Sequence, residues 1–173
     1  MILGRQNNMK ILYAPWREDY SRSNKKQPEK CVFCIDETTK DDGKNFILLR
    51  GKYSFVAMNL FPYNAGHLLV VPYQHKPHLY SLDQHVRQEV MELLSHSANI
   101  LENKLKCEGL NVGLNCGALS GGSIPDHLHF HVVPRFKGDT NFLSVVGETK
   151  VISFDMYKMY RTLKGFFDMA TMG

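Results

Sequence analysis

His127-Leu128-His129-Phe130-His131-Val132-Val133 is the stretch from which the rest of the chain can be read. Three histidines alternate with three apolar residues, the period of a half-buried β-strand. On such a strand the imidazoles of His127, His129 and His131 share one face, and Leu128, Phe130 and Val132 the other. Histidines do sometimes merely line the polar face of a strand. Three at period two, out of eight in the whole chain, instead predict a site, because imidazole serves as nucleophile, proton carrier and metal ligand near neutral pH.

Upstream, Gly113-Leu114-Asn115-Cys116-Gly117 and Ser120-Gly121-Gly122-Ser123 lead into the histidines through Ile124-Pro125-Asp126. A Gly/Ser run alone marks a turn. Directly before a histidine strand it predicts a phosphate cradle, since small residues let backbone N–H groups approach an anion. Asn115 and Ser123 add side-chain donors. The chemistry this suits is substitution at phosphorus. His129, with a histidine two residues away on either side, is the predicted nucleophile; one neighbour can fix its tautomer and the other contact the phosphate or leaving oxygen. Attack would give a phosphohistidine-type intermediate that a second nucleophile resolves, with the loop amides stabilising the equatorial oxygens.

These residues resemble the histidine triad (HIT) family of nucleotide hydrolases and transferases. The run from His127 to Val133 matches the family pattern in full. Three further blocks agree: Met58-Asn59-Leu60-Phe61-Pro62 with Gly66-His67-Leu68-Leu69-Val70-Val71-Pro72 and His75; the loop from Asn115 to Ser123; and Pro134-Arg135. The resemblance implies that His129 takes the nucleotidyl group, that His131 contacts the α-phosphate and that Asn59 binds the ribose hydroxyls. It implies Asn115 and Ser123 on phosphate or leaving group, and His67 as an orienting residue behind the triad. Tyr13-Ala14-Pro15-Trp16-Arg17 with Tyr20, and Arg135 to Phe142, look like the bacterial diadenosine tetraphosphate phosphorylases, which use phosphate to give ADP and ATP. Gly122 stands where many hydrolases of the family carry Gln. His131 stands where the galactose-1-phosphate uridylyltransferase branch has Gln, which argues against that sugar chemistry.

Cys31-Val32-Phe33-Cys34 has the spacing of half a zinc site, since one tight turn brings both thiolates to one metal. A redox pair or two free thiols would share that spacing, although no thioredoxin-like context surrounds it. His75 and His127 fall at positions that bind zinc in metal-containing family members, so the resemblance implies Cys31, Cys34, His75 and His127 as a structural set. Such a metal would pin the N-terminal loop to the triad strand.

The chain's 173 residues suffice for one domain with a real core. No run of about 18 apolar residues suggests a membrane span, no signal core opens the chain, and four cysteines with a zinc-like pair argue against a disulfide framework; the expected compartment is cytoplasmic. Cys107 and Cys116 are expected free and partly buried. Residues 1–30 hold seven Lys/Arg against three acids, which accounts for the whole +4 net charge. No aromatic interleaving or nucleic-acid motif accompanies this basic arm, so solvation or attraction of polyphosphate is expected rather than nucleic-acid binding. The HIT domain is expected over 31–150, with 151–173 as its C-terminal helical extension.

Phe46 to Leu49 and Ser54 to Met58 read as a hairpin about Arg50-Gly51-Lys52, and Gly66 to Pro72 as a central strand. Ser81-Leu82-Asp83-Gln84 has capping-box form. Leu82, Val86, Val90, Leu93, Leu94, Leu101 and Leu105 then follow at helical spacing, with Gly109 past the end. His85 and His96 in this helix are expected to face solvent. A strand at Leu110 to Asn115 and the triad strand complete an α+β fold: a five-stranded, mainly antiparallel sheet with one long helix. A second helix is expected over 155–168, its Met and aromatic residues serving core or dimer contact. Family members are generally two-fold dimers, so the resemblance implies a homodimer.

Three functions compete. The first is cleavage of dinucleoside polyphosphates through nucleotidyl-His129, with phosphate as acceptor. The second is nucleoside phosphoramidate hydrolysis, which shares the nucleophile. The third is non-catalytic nucleotide binding, which three positioned imidazoles disfavour, because sensing needs only ground-state affinity. Gly122 and the block from Gly138 to Phe142 favour the first. Phe33 or Phe136 could stack on the base.

Overall fold

The alternation read from the triad strand governs both faces of the sheet in the computed structural model, which describes residues 31–35, 41–122, 124–139 and 154–170. Five strands form one antiparallel sheet: β1 (Ile47–Arg50), β2 (Ser54–Met58), β3 (Leu68–Pro72), β4 (Gly109–Leu114) and β5 (Phe130–Arg135), in the order β1-β2-β3-β5-β4. Helix α1 (Gln84–Asn103) and helix α2 (Met156–Ala170) complete the fold. Val56, Met58, Leu68, Val70, Leu128, Phe130 and Val132 form the main core with the buried stripe of α1 and with Leu163 and Phe167 of α2. Phe55, Ala57, Leu69 and Val71, the alternate positions, make a smaller cluster on the opposite face, beneath Phe33, Ile35 and Tyr73. That second face carries the site.

The central place of β3 follows from its composition. All of Leu68–Pro72 is buried, as a strand covered on both faces requires. Leu69 pairs with His131 across β3 and β5, and Gly113 with His131 across β4 and β5. Paired residues share a face, so glycine on one side of His131 leaves its imidazole open.

Ladder pairing on β5 begins at Phe130, so His127 to His129 enter the sheet as extended chain rather than as strand. The Leu128 N–H instead donates to the Lys76 carbonyl at 2.8 Å. The alternation survives because Leu128 is as fully buried as Val132.

Three local expectations need correction. Ser81 belongs to a 3-10 turn, Leu79–Ser81, and its hydroxyl donates to the His78 carbonyl at 2.6 Å; Asp83 is the N-cap and makes no side-chain cap. Its carboxylate is engaged by Gln74 at 2.7 Å, which removes the capping box. The helix ends at Lys104, and the left-handed turn after it is made by Lys106 (φ 62°), not by Gly109, which opens β4. His85 is exposed as expected, but His96 is half-buried with its ring edge on Phe167 at 5.5 Å, because α2 covers that side of α1. Of the two other cysteines, both free, Cys107 is buried, whereas Cys116, expected partly buried, is exposed in the loop after β4.

Helix α2 lies along β1. The Tyr160 hydroxyl donates to the Ile47 carbonyl at 3.1 Å, and the Ile47 N–H donates to the Asp42 carbonyl at 2.9 Å. At the far edge, Asn111, Val112 and Gly113 of β4 are exposed.

Gly66 sets the entry to β3. Its φ of 79° lies in the left-handed region, and a Cβ there would meet Leu105 Cδ2 at 2.7 Å. Gly66→Ala should therefore cost about 1–2 kcal/mol through backbone strain and displacement of Leu105, read as a lower urea midpoint at unchanged slope.

Candidate active site and metal centre

Each histidine of the cluster has one ring nitrogen committed to a defined partner, and the partners fix the tautomers. A carbonyl only accepts, so the His129 Nδ1 at 2.9 Å from the His127 carbonyl must carry its proton. The other nitrogen, Nε2, then holds a free lone pair. The same logic applies to His127, whose Nε2 donates to the Pro72 carbonyl at 2.8 Å and leaves Nδ1 unprotonated.

His131 is fixed through His67. The Tyr63 N–H donates to His67 Nδ1 at 3.0 Å, and the Asn59 amide nitrogen lies 3.3 Å from the same atom. His67 therefore carries its proton on Nε2, which faces His131 Nδ1 at 3.0 Å. His131 must then accept at Nδ1 and present Nε2–H toward the loop. The Asn115 amide nitrogen, itself a donor, lies 3.5 Å from that nitrogen, so Asn115 can accept from it only with its amide turned to bring the oxygen there. The result is a lone pair on His129 beside a donor on His131, with ring centroids 5.0 Å apart. A nucleophile beside a donor is the pairing that substitution at phosphorus requires.

Burial keeps these rings neutral. His67 is fully enclosed, and its pKa falls to about 3, first by burial and then by the neighbouring His131 and His129. His131 falls to about 4, by burial and then by His129. Burial likewise lowers His129, against the opposing bond to the His127 carbonyl.

The predicted loop residues divide. Asn115 stands against His131. Gly122 lies beneath Asn115, and a Cβ there would meet Asn115 Cβ at 3.0 Å, so any larger residue at 122 would displace that amide. Ser123 lies outside the described residues, as do Tyr13 to Tyr20 and the end of the block after Asp139. A groove of about 410 Å³ runs from Tyr63 and His131 past Asn115 and Gly121 to Asn111. Of the two aromatic residues considered for stacking, Phe33 lies against His129 with centroids 4.8 Å apart, whereas Phe136 packs half-buried on the core. Asn59 is partly committed: its carbonyl oxygen accepts from the Phe61 N–H at 3.0 Å.

Cys31, Cys34, His75 and His127 converge, with their ligand atoms all within 4.8 Å of one another. Cys31 Sγ lies 3.5 Å from His127 Nδ1, and Cys34 Sγ lies 3.2 Å from His75 Nδ1 and 3.7 Å from His127 Nδ1. With zinc bonds of about 2.3 Å to sulfur and about 2.0 Å to nitrogen, the sulfur–nitrogen edge of a tetrahedron is about 3.5 Å. The unprotonated Nδ1 of His127 supplies the lone pair such a site needs. These four residues could hold a metal.

Tyr63 was not singled out from sequence. Its ring stacks 5.7 Å from His131 at 23° and lies 4.7 Å from His67. Its position between Asn59 and His67 was the available signal, but an amide's role is set by loop geometry, not by side-chain type.

Comparison with known proteins agrees with this geometry. Residues 41–138 match the HIT domain family. An AP-4-A phosphorylase of Mycobacterium tuberculosis is 35% identical over 156 residues, covering 87% of this chain and 80% of that protein. An adenosine 5'-monophosphoramidase of Saccharomyces cerevisiae is 29% identical, covering 61% and 62%. A zinc-bound histidine triad family protein from Mycobacterium smegmatis superposes with a TM-score of 0.66 at 22% identity, over 83% of this chain and 96% of that one; it shares the fold.

The lowered His67 pKa has a thermodynamic consequence. Unfolded, this imidazole takes up a proton near pH 6.5; folded, only near 3. Between those values the unfolded state binds more protons, so stability is complete above about pH 6.5 and falls on acidification, by up to about 1.4 kcal/mol per unit for one imidazole. Urea midpoints at about pH 7.5 and 5 should show the fall, and His67→Gln, which cannot take up the proton, should lessen it.

Proposed function

The chain belongs to the histidine triad family of nucleotide hydrolases and transferases, and from that membership we propose that it splits dinucleoside polyphosphates, diadenosine tetraphosphate above all, by nucleotidyl transfer through His129 to inorganic phosphate. The observation that carries this reading is the tautomer of His129: its Nδ1–H is tied to the His127 carbonyl, which leaves Nε2 as an in-place nucleophile. The likeness to the mycobacterial AP-4-A phosphorylase supports the choice of substrate.

In the first step the Nε2 lone pair forms a bond to the α-phosphorus while the bond to the bridging oxygen breaks, and ATP leaves with that oxygen and its electron pair. The His127 carbonyl stabilises the positive charge that develops on the ring, through the Nδ1–H it already holds. His131 Nε2–H donates to a non-bridging oxygen of the transferred group. In the second step a phosphate oxygen attacks the same phosphorus, the nitrogen–phosphorus bond breaks, and its electrons return to Nε2. ADP is the second product. Asn59 is assigned to the ribose hydroxyls, Asn115 and Ser123 to phosphate or leaving group, and Gly122 to the space beside Asn115.

Product analysis with diadenosine tetraphosphate tests this. ADP plus ATP, formed only with inorganic phosphate present, is expected. AMP plus ATP without phosphate would make the enzyme a hydrolase, and turnover of adenosine phosphoramidate alone would make it a phosphoramidase. His129→Ala should lose several orders of magnitude in kcat while retaining nucleotide binding; near-normal turnover would refute the covalent step.

Zinc is the proposed occupant of the four-residue site, on the strength of the tetrahedral spacing and two thiolates. It would act structurally, fixing the segment that carries Phe33 and the orientation of His127. About one equivalent of zinc per chain is expected, lost in Cys31→Ser with Cys34→Ser; under about a tenth of an equivalent in the native chain would exclude it. A cytoplasmic homodimer completes the reading. No described helix is long and apolar enough to cross a membrane, and the exposed β4 edge offers a surface a second copy could cover.

A further inference from the structure

The segment from Asn59 to His67 carries Asn59, Tyr63 and His67 but pairs with no strand before Leu68. One side chain anchors it. Asn64 is buried, and its amide nitrogen donates to the Pro134 carbonyl at 2.8 Å and to Asp139 Oδ1 at 2.8 Å; its own carbonyl accepts from the His67 N–H at 3.1 Å. Asp139 is itself enclosed, with a side-chain exposure of 9%. Its second oxygen accepts from Arg135 Nε at 2.8 Å and from the Phe136 N–H at 3.1 Å. Gly138, at φ 88°, turns the chain so that the carboxylate points back across the end of β5. An enclosed carboxylate with both oxygens engaged makes a rigid acceptor, because leaving any of these donors unmet would be costly.

We infer that Asp139, acting through Asn64, is a positioning residue for the His67–His131 pair. Asn64 follows Tyr63 directly, so the latch fixes where the Tyr63 N–H points. That N–H selects the His67 tautomer, and His67 in turn selects that of His131. The donor facing the substrate is thereby set from the loop after β5, eight residues beyond His131 itself. Without the latch, the Tyr63 amide drifts, His67 can move its proton to Nδ1, and His131 can then present a lone pair to an anionic phosphate instead of a donor. Asp139 touches no reacting atom in this scheme.

The inference relies on the proposed function only for its kinetic arm. Nitrogen-15 histidine spectra of the full chain report the tautomers without substrate. Native His67 should carry its proton on Nε2 and His131 likewise; a native His67 protonated on Nδ1 would overturn the inference with no variant needed. In Asn64→Ala and Asp139→Ala the His67 and His131 signals should move toward mixed tautomers. With diadenosine tetraphosphate, kcat should fall about 10–100-fold, as loss of an orienting partner does, with KM changed by less than about twofold. The double variant should lose no more than the worse single one, because both act through one path. Asn64→Leu, which keeps the branched shape and removes the amide, serves if the alanine variants do not fold. Folded variants that keep native tautomers would overturn the inference. Absence of turnover in the native chain would count against the proposed function and leave the tautomer test decisive.

Discussion

The main chain decides what each imidazole in this site can do. Three histidines within five residues could exchange protons freely, and an unspecified cluster would be a poor catalyst. Here the Pro72 carbonyl, the His127 carbonyl and the Tyr63 N–H each fix a ring nitrogen. Main-chain groups cannot change protonation state near neutral pH, so the pattern they impose is as rigid as the sheet. A lone pair on His129, a donor on His131 and a metal-ready nitrogen on His127 all follow from three backbone atoms. Burial reinforces the pattern by disfavouring the charged rings.

His127 is the residue through which two otherwise separate centres meet. Its ring faces the cysteines while its carbonyl holds the His129 ring. Any displacement of that ring by the Cys31–Cys34 loop would move the carbonyl that orients the His129 ring. Phe33, between the two cysteines in sequence, touches the same pair of rings at 5.7 and 4.8 Å. The Cys31–Cys34 loop is thus mechanically coupled to the histidine cluster.

Much of this was legible in the sequence, and the parts that were not have a common cause. Strand and helix placement followed from periodicity: Val86, Val90, Leu93, Leu94 and Leu101 mark the buried face of α1, and the continuous apolar run at Leu68–Pro72 marks the centre of the sheet. The four-residue set was legible in two ways: Cys31 and Cys34 from their spacing, and His75 and His127 only through the family resemblance. The capping box failed because Asp83 and Ser81 found other partners, Gln74 and the His78 carbonyl. His96 was misplaced because a helical stripe cannot show that α2 will cover its rim. Tyr63 and Asn64 were passed over for the same reason: a backbone amide carries no residue-specific mark, and the Asn64–Asp139 bond joins positions 75 apart. Local chemistry is written in residue types; long-range closure is written in geometry.

The two borders of the sheet are unlike. At β1, the Ile47 carbonyl takes the Tyr160 hydroxyl and its N–H is spent on Asp42, so that border is occupied where the strand begins. At the β4 border Asn111, Val112 and Gly113 are exposed. An exposed edge strand is the side on which a sheet can be extended. Helix α2 stands on the β1 side where a sixth strand would have to begin, and its Tyr160 holds the carbonyl such a strand would need.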